Sequence, residues 1–284
     1  MNIYRREIRA NLRSLILWSL GMFLFIYASM TKYSALAAPG DGGQAAADIM
    51  GGLPLALQAM FGVGQLDFQK ASGFWGMIVP YLMLMAAIHA SMLGAVILSK
   101  EERDRTSEFL YVKPATRPQI MTAKLLAALT CVLALFLVTW GCSAGLVAQF
   151  GHGEDAGSAI ATQMLGFLLV QLVFLSLGFA AAAVLNRPKA STGIATGVML
   201  AAYLLSIAIT VNRAPVADAV TEKAVVTGSL DWLMSFTPFE YFDPKKIIGS
   251  GAGLDPWFVV LSVVLMGLFL LAAYAIFRRR DLKV

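Results

Sequence analysis

The chain has 284 residues, of which 58% are hydrophobic and only 14% are charged. Its mean hydropathy is +0.73. Soluble domains carry about a quarter charged residues, so this composition excludes an ordinary soluble domain and indicates a membrane protein. The net charge of +5 does not predict nucleic-acid binding, because no groove of interleaved aromatic and basic residues is evident and basic residues in membrane proteins usually set orientation.

The first fourteen residues form a basic amphipathic segment. Its apolar face and its neighbouring basic stripe recur at helical spacing, with Tyr4, Ile8 and Leu12 on the first and Arg5, Arg9 and Arg13 on the second. The pattern is typical of a helix that lies in the lipid headgroup layer. A simple basic anchor before the first span explains the same residues. Both interpretations place the N-terminus in the cytoplasm.

Six apolar runs are long enough to cross a bilayer, which takes about 20 residues for each helix. The predicted spans cover about residues 15–33, 74–98, 120–150, 159–185, 190–211 and 256–277. Long loops join the first span to the second and the fifth to the sixth, over residues 34–73 and 212–255. We expect a short helix within residues 45–61, at the outer surface or dipping into it, because apolar residues recur there on one helical face.

The distribution of charge supports six spans with both termini on one side of the membrane. That side collects sixteen Lys and Arg against six Asp and Glu, whereas the other side collects six against eleven. The positive-inside rule therefore assigns the first side to the cytoplasm. We predict one all-α membrane domain over residues 1–284, multi-pass in the cytoplasmic (inner) membrane, with both termini in the cytoplasm.

Two motifs within the apolar runs need an interpretation. Gly141-Cys-Ser-Ala-Gly145 matches the G-x-S-x-G pattern of serine hydrolases, but it lies in a helical run instead of a strand-to-helix turn. An intramembrane serine protease that pairs Ser143 with His89 is one alternative function. A small-xxx-small face for helix packing explains the glycines more simply, and Gly193 and Gly197 repeat the spacing.

His89 is also a candidate residue of a transport path, because ionisable groups at membrane depth are often functional. A structural, hydrogen-bonded histidine is the alternative. No second His, Cys or carboxylate lies nearby in sequence to complete a metal site, so no metal is expected. Cys131 and Cys142 lie about 16 Å apart along one predicted helix, which is too far for a disulfide between them.

The stretch from Ser99 to Lys124 is a polar interruption between two spans, and it holds ten charged residues. It also contains Phe109 and Leu110, which a solvated loop does not need. Acidic residues near its start and Lys113 near its end suit a short helix, which Pro114 would terminate. A short cytoplasmic helix with an exposed Phe–Leu pair predicts docking into a groove of a partner protein. The chain has no nucleotide-binding motif, so any ATP must be bound by another chain.

Several residues of this stretch fall in an order that can be compared with known families: Glu101, Glu102, Thr106, Glu108, Phe109, Leu110, Pro114, Arg117 and Lys124. This order resembles the segment after the second span of ABC-2-type transporter permeases. Arg105 stands where that family often has Gly. The stretches 237–244 and 277–282, which flank the last span, are similar to the family as well.

The resemblance implies a fold like that of type V ABC exporters: six transmembrane helices, an N-terminal interfacial helix and a cytoplasmic coupling segment at residues 99–118. It implies that this segment docks on a separate ATPase through Glu101, Glu102, Arg103, Thr106, Glu108, Phe109 and Leu110. Two ATPase copies and a second permease, identical or related, would complete the exporter in membrane lipid. The ATPase would bind ATP and Mg, so no cofactor or catalytic residue is expected in this chain. The substrate is not implied, and a membrane scaffold without transport activity is the remaining alternative.

Overall fold

The computed structural model describes residues 3–36, 51–103, 116–151, 153–185, 188–213, 216–217, 224–225 and 229–279. Within this part of the chain, six helices are each long and apolar enough to cross a membrane, which agrees with the predicted all-α membrane fold. They are α1 (Ile3–Leu36), α3 (Ala71–Arg103), α4 (Arg117–Phe150), α5 (Gly157–Val184), α6 (Pro188–Asn212) and α8 (Pro256–Arg279).

Shorter elements lie between these helices. In the loop before α3, helix α2 (Leu55–Phe61) occupies the end of the region where a short helix was predicted. The loop after α6 contains an antiparallel pair of two-residue strands, β1 (Val216–Ala217) and β2 (Ala224–Val225), followed by a 3₁₀ helix (Asp231–Phe236), α7 (Pro238–Tyr241) and a π-helical turn (Lys245–Gly249).

Helix α1 joins the basic segment and the first span in one uninterrupted helix of 34 residues. No proline interrupts this stretch, and Gly21 is its only glycine, so nothing in the local sequence ends the helix early. At 1.5 Å per residue the helix is about 51 Å long, which exceeds the roughly 30 Å hydrocarbon layer. The amphipathic turns therefore extend the first span and do not form a separate helix.

Hydrogen bonds between helices define the two ends of the bundle. At the end that contains the start of α1, here called the N-terminal face, the Tyr4 hydroxyl bonds Thr130 at 3.0 Å and the Thr122 hydroxyl bonds Tyr274 at 2.9 Å. At the opposite face, the Tyr33 hydroxyl donates to the carbonyl of Gln69 at 2.8 Å. The start of α1 and the end of α8 thus lie at the same face.

Helices α3 and α5 form the centre of the bundle, and their backbones touch. A Cβ atom at Gly94 would lie 2.3 Å from the carbonyl oxygen of Leu175, and one at Gly178 would lie 2.2 Å from that of Ser91. Only glycine allows such an approach, which is a common way for membrane helices to pack. Around this pair, α1, α6 and α8 bury only a small share of their spanning segments within the described chain.

The glycine pairs predicted from spacing do not pack inside the described chain. Apart from the neighbouring residues and backbone of its own helix, no described atom lies within 4 Å of a Cβ built at Gly141, Gly145, Gly193 or Gly197. The prediction of packing faces at these glycines is therefore wrong for contacts among the described residues. Spacing along one helix does not reveal which face meets a neighbour, whereas Gly94 and Gly178 each oppose a carbonyl group.

We predict that Gly178→Val destabilises the fold, because its side chain would overlap the backbone of α3. The expected cost is about 3 kcal/mol, at the upper end for overpacking. The melting temperature of the purified protein in detergent, followed by tryptophan fluorescence, measures the effect. Gly193→Val is the matched control, since its site is open, and it should melt close to the unmodified protein. Equal melting temperatures for the two variants would contradict the close α3–α5 contact.

Candidate functional site

Five charged residues from three helices meet at the N-terminal face. This ion-pair cluster comprises Arg6 and Glu7 of α1, Lys100 and Glu101 of α3, and Lys124 of α4. Arg6 Nη2 lies 2.7 Å from Glu7 Oε1 and 2.6 Å from Glu101 Oε1, and Lys100 Nζ lies 3.4 Å from Glu7 Oε2. Because the partners belong to different helices, the cluster connects the start of α1 to the end of α3 and the start of α4.

Glu101 holds the central place in this cluster. One of its carboxylate oxygens pairs with Arg6 and the other with Lys124. The Lys124 ammonium also donates to the carbonyl oxygen of Ile97 at 2.7 Å. The exposed fraction is 5% for Glu101, 2% for Lys124 and 0% for Glu7. Buried charges persist only when they are paired and hydrogen-bonded, and here each charge has a partner of opposite sign.

The cluster lies where the predicted coupling segment leaves and re-enters the bundle. Helix α3 ends at Arg103, two residues after Glu101, and α4 begins at Arg117, seven residues before Lys124. Thr116 and Gln119 form a capping box at the start of α4, in which the Thr116 amide donates to the Gln119 side chain at 2.9 Å. The residues that flank 104–115 on each side therefore belong to transmembrane-length helices of the bundle.

The structure describes only part of the predicted docking set. Thr106, Glu108, Phe109 and Leu110 lie outside the described residues, and the described backbone of Glu102 and Arg103 forms the last turn of α3. Glu101 was predicted to contact the ATPase, but its side chain is enclosed within its own chain. Both of its carboxylate oxygens are already paired with Arg6 and Lys124, so a contact of Glu101 with the ATPase stays a prediction that would require these pairs to open.

The predicted interfacial residues of α1 divide into two groups. Tyr4 and Ile8 are half-buried and pack against the apolar cluster that includes Met121 and Cys131 of α4. The remaining positions of the predicted set, Arg5, Arg9, Leu12 and Arg13, are exposed. The apolar face of the segment therefore packs partly on α4, while its basic stripe is available to lipid headgroups or solvent.

Sequence reasoning missed the roles of Arg6, Glu7 and Lys100. A signal existed in Glu7, which is the only acidic residue among the first fourteen and is fully buried. Lys124 was identified only as part of the residue order between the second and third spans, and no ion pair was predicted for it. An acid within a basic segment and a base within an apolar run are the sequence features that indicate ion pairs with residues of other helices.

His89 is buried against α1, where its ring centroid lies 5.6 Å from that of Trp18. Its Nδ1 atom has no hydrogen-bond partner in the described part of the chain. Among the described residues, no group of three or more His, Cys, Asp and Glu could hold a metal ion. The transport-path role of His89 stays a prediction.

The serine–histidine pair of the protease alternative is not assembled. The Ser143 hydroxyl is fully buried and makes no hydrogen bond to His89 or to any other residue that the structure describes. A serine nucleophile needs a base within hydrogen-bond reach, about 2.6–3.2 Å. The described part of the chain therefore gives Ser143 no activating base.

Comparisons with known proteins agree with this description. The family described as "ABC-2 family transporter protein" matches residues 1–282. The chain is also similar to a protein of Stutzerimonas stutzeri named "Probable ABC transporter permease protein NosY". The two are 24% identical over 239 residues, which cover 76% of this chain and 84% of the relative. The family match includes the ion-pair cluster and the whole of the polar stretch between α3 and α4.

We predict that Lys124→Met destabilises the protein strongly, because Glu101 loses its buried partner. Breaking a buried pair by removing one member costs about 3–5 kcal/mol. Lys70→Met is the matched control: Lys70 is exposed and its ammonium lies 3.6 Å from Asp67, a surface pair worth at most about 1 kcal/mol. Melting temperatures in detergent compare the two variants. A similar fall in melting temperature for both variants would show that the buried cluster stabilises the fold no more than a surface ion pair does.

Proposed function

Since the chain belongs to the ABC-2 family of transporter proteins, we propose that it is the membrane permease subunit of an ATP-driven exporter. It works as a pair of permease copies, identical or related, with two copies of a separate ATPase that binds ATP and Mg. The six membrane-length helices and the relative named as a permease support this function. Lipid surrounds the exposed apolar faces of α1, α6 and α8.

In this proposal the permease lies in the inner membrane, and its N-terminal face is on the cytoplasmic side. Support comes from the excess of sixteen basic over six acidic residues in the segments assigned to that side. Contacts between α1, α4 and α8 group the start and the end of the described chain at that face. The coupling segment between α3 and α4 then faces the compartment that contains ATP.

The coupling segment docks on the ATPase through Phe109 and Leu110, with Glu102, Arg103, Thr106 and Glu108 as polar contacts. Closure of the ATPases on ATP displaces the segment, and the displacement reaches the spans through both of its ends. The observation that carries this mechanism is the buried bridge from Arg6 through Glu101 to Lys124. Because separating these charges in a buried site is costly, the ends of α1, α3 and α4 move together.

The substrate path runs between the two permease copies, and His89 remains our candidate for a residue near it. Its burial between α1 and α3, with one ring nitrogen free of any described partner, leaves it available for a polar group that enters from the α1 side. Polar residues within spans are costly and often mark such paths.

We predict that Phe109→Asp weakens assembly with the ATPase, because a carboxylate cannot enter an apolar groove without losing its hydration. Loss of a hot-spot residue worth about 2 kcal/mol weakens binding about 30-fold. The measurement is the amount of ATPase that co-purifies with the tagged permease, together with permease-stimulated ATP hydrolysis.

Trp232→Asp is the matched control for this experiment. Trp232 is also an aromatic residue, 68% exposed, but it lies in the loop between α6 and α8 at the opposite face. The same aromatic-to-acid change there should leave assembly intact. If Phe109→Asp retains both the ATPase and its stimulated hydrolysis, the docking proposal is wrong.

A further inference from the structure

A second polar site lies at the opposite face, in the loop between α6 and α8. There α7 is fixed to the bundle on both sides: the Thr237 hydroxyl donates to the carbonyl of Ala202 at 2.8 Å, and Phe242 packs so closely on Gly166 that a Cβ there would lie 2.6 Å away. The Tyr241 hydroxyl donates to the carbonyl of Ser235 at 2.5 Å. These contacts hold Glu240 of α7 in one position.

Glu240 is a buried carboxylate in which one oxygen accepts hydrogen bonds and the other accepts none from the described residues. Its exposed fraction is 4%. The Ser206 and Thr210 hydroxyls donate to Oε1, at 2.7 and 3.2 Å. The nearest cation to Oε2 is Arg213 Nη1 at 3.7 Å, beyond hydrogen-bond distance, and the Arg213 Nε atom donates instead to Asp231 at 2.7 Å. Oε2 therefore accepts no hydrogen bond from any residue that the structure describes.

This carboxylate lines an open pocket whose cavity volume is about 60 Å³. The pocket walls are mostly aromatic and apolar, with contributions from Tyr81 of α3, Tyr203 of α6 and Phe239 of α7. The Tyr203 and Phe239 rings pack edge to face with centroids 5.2 Å apart. The mouth continues into a wider cleft that shares Thr210, Asp243 and Lys245 with the pocket.

The pocket carries more negative than positive charge. Its charged residues are Glu240, Asp243 and Lys245, and the Lys245 ammonium is already engaged with Asp243 at 3.9 Å and with the carbonyl of Ala59 at 3.3 Å. Within the pocket lining Glu240 is therefore the surplus charge, and the nearest cation outside that lining, Arg213 at 3.7 Å, is shared with Asp231. Burial, and then the nearby Asp243, raise the pKa of Glu240 above its ordinary value of 4.5, so the site gains from an added cation.

We propose that this pocket binds an organic cation whose ammonium group donates to Oε2 of Glu240. Its aromatic or alkyl body lies against Tyr81, Tyr203 and Phe239, whose rings favour a nearby positive charge. A buried carboxylate with aromatic walls is the usual composition of such sites. This inference goes beyond the proposed function, since a pocket inside one permease copy requires neither the ATPase nor the second copy.

Three probes with one common body test the proposal on the purified full chain in lipid nanodiscs: 2-phenylethylammonium, neutral 2-phenylethanol and anionic phenylacetate. Equilibrium dialysis against empty nanodiscs corrects for partition into lipid. We expect the ammonium to bind at least about tenfold more tightly than the alcohol, and phenylacetate to bind least. Equal binding of all three probes, or tighter binding of phenylacetate, would overturn the proposal without any bearing on export.

Glu240→Gln keeps the size and the acceptor atom but removes the charge, so the ammonium should then bind about as weakly as the alcohol, roughly a tenfold loss. Asp155→Asn is the matched control, because Asp155 is an exposed acid in the α4–α5 turn at the same face. It should leave binding unchanged. Unchanged binding in Glu240→Gln would show that the ammonium does not use this carboxylate.

The melting temperature separates a ligand role from a purely structural one. A carboxyl with a raised pKa makes the fold less stable as pH rises above the unfolded value, because only the unfolded chain ionises freely. Without ligand, Glu240→Gln should therefore melt higher than the unmodified protein at pH 7.5, and the difference should shrink toward pH 4.5. The titratable and charged groups facing Glu240 are Tyr81, Tyr203, Arg213, Asp243 and Lys245. A lower melting temperature at both pH values would assign Glu240 to a structural ion pair with Arg213 and overturn the proposal.

Discussion

The pairing of Glu101 with Arg6 on one side and Lys124 on the other is the interaction on which the N-terminal face depends. Moving either cation away from this buried carboxylate costs several kcal/mol of free energy, because a charge is then left without water or a counterion. The three helices that supply these charges are thereby held in one relative position. A force applied to the polar stretch between α3 and α4 would therefore reach helix ends that are held together by these ion pairs.

Rigidity at this face continues into the centre of the bundle. Helix α3, which carries Glu101, is also the helix whose Gly94 touches the backbone of α5. Tightly packed pairs of this kind transmit displacement because they have little free volume to absorb it. The outer helices α1, α6 and α8 differ, since only a small share of their spanning segments is buried within the described chain. The bundle thus combines a closely packed central pair with outer helices that are less buried, and of these α1 is attached near both of its ends.

The sequence predicted well what depends on local composition and poorly what depends on distant contacts. Apolar run length and charge bias gave six spans, because partition into lipid is decided residue by residue. Burial of Glu101 was not predictable in the same way, since its partner Arg6 lies 95 residues away and an acid in a polar stretch normally faces water. The pocket at Glu240 was invisible for the same reason: its walls come from α3, α6 and α7, and only the fold brings them together.

The unbroken length of α1 has a mechanical consequence. Near its start, Glu7 is held in the ion-pair cluster, and near its end the Tyr33 hydroxyl is bonded to the loop before α3. These two attachments lie about 39 Å apart along the axis. A helix fixed in this way is a lever arm, and a tilt of about 5° at one end displaces the other by roughly 3 Å. Events at the two faces of the bundle are therefore linked along its outer edge as well as through its core.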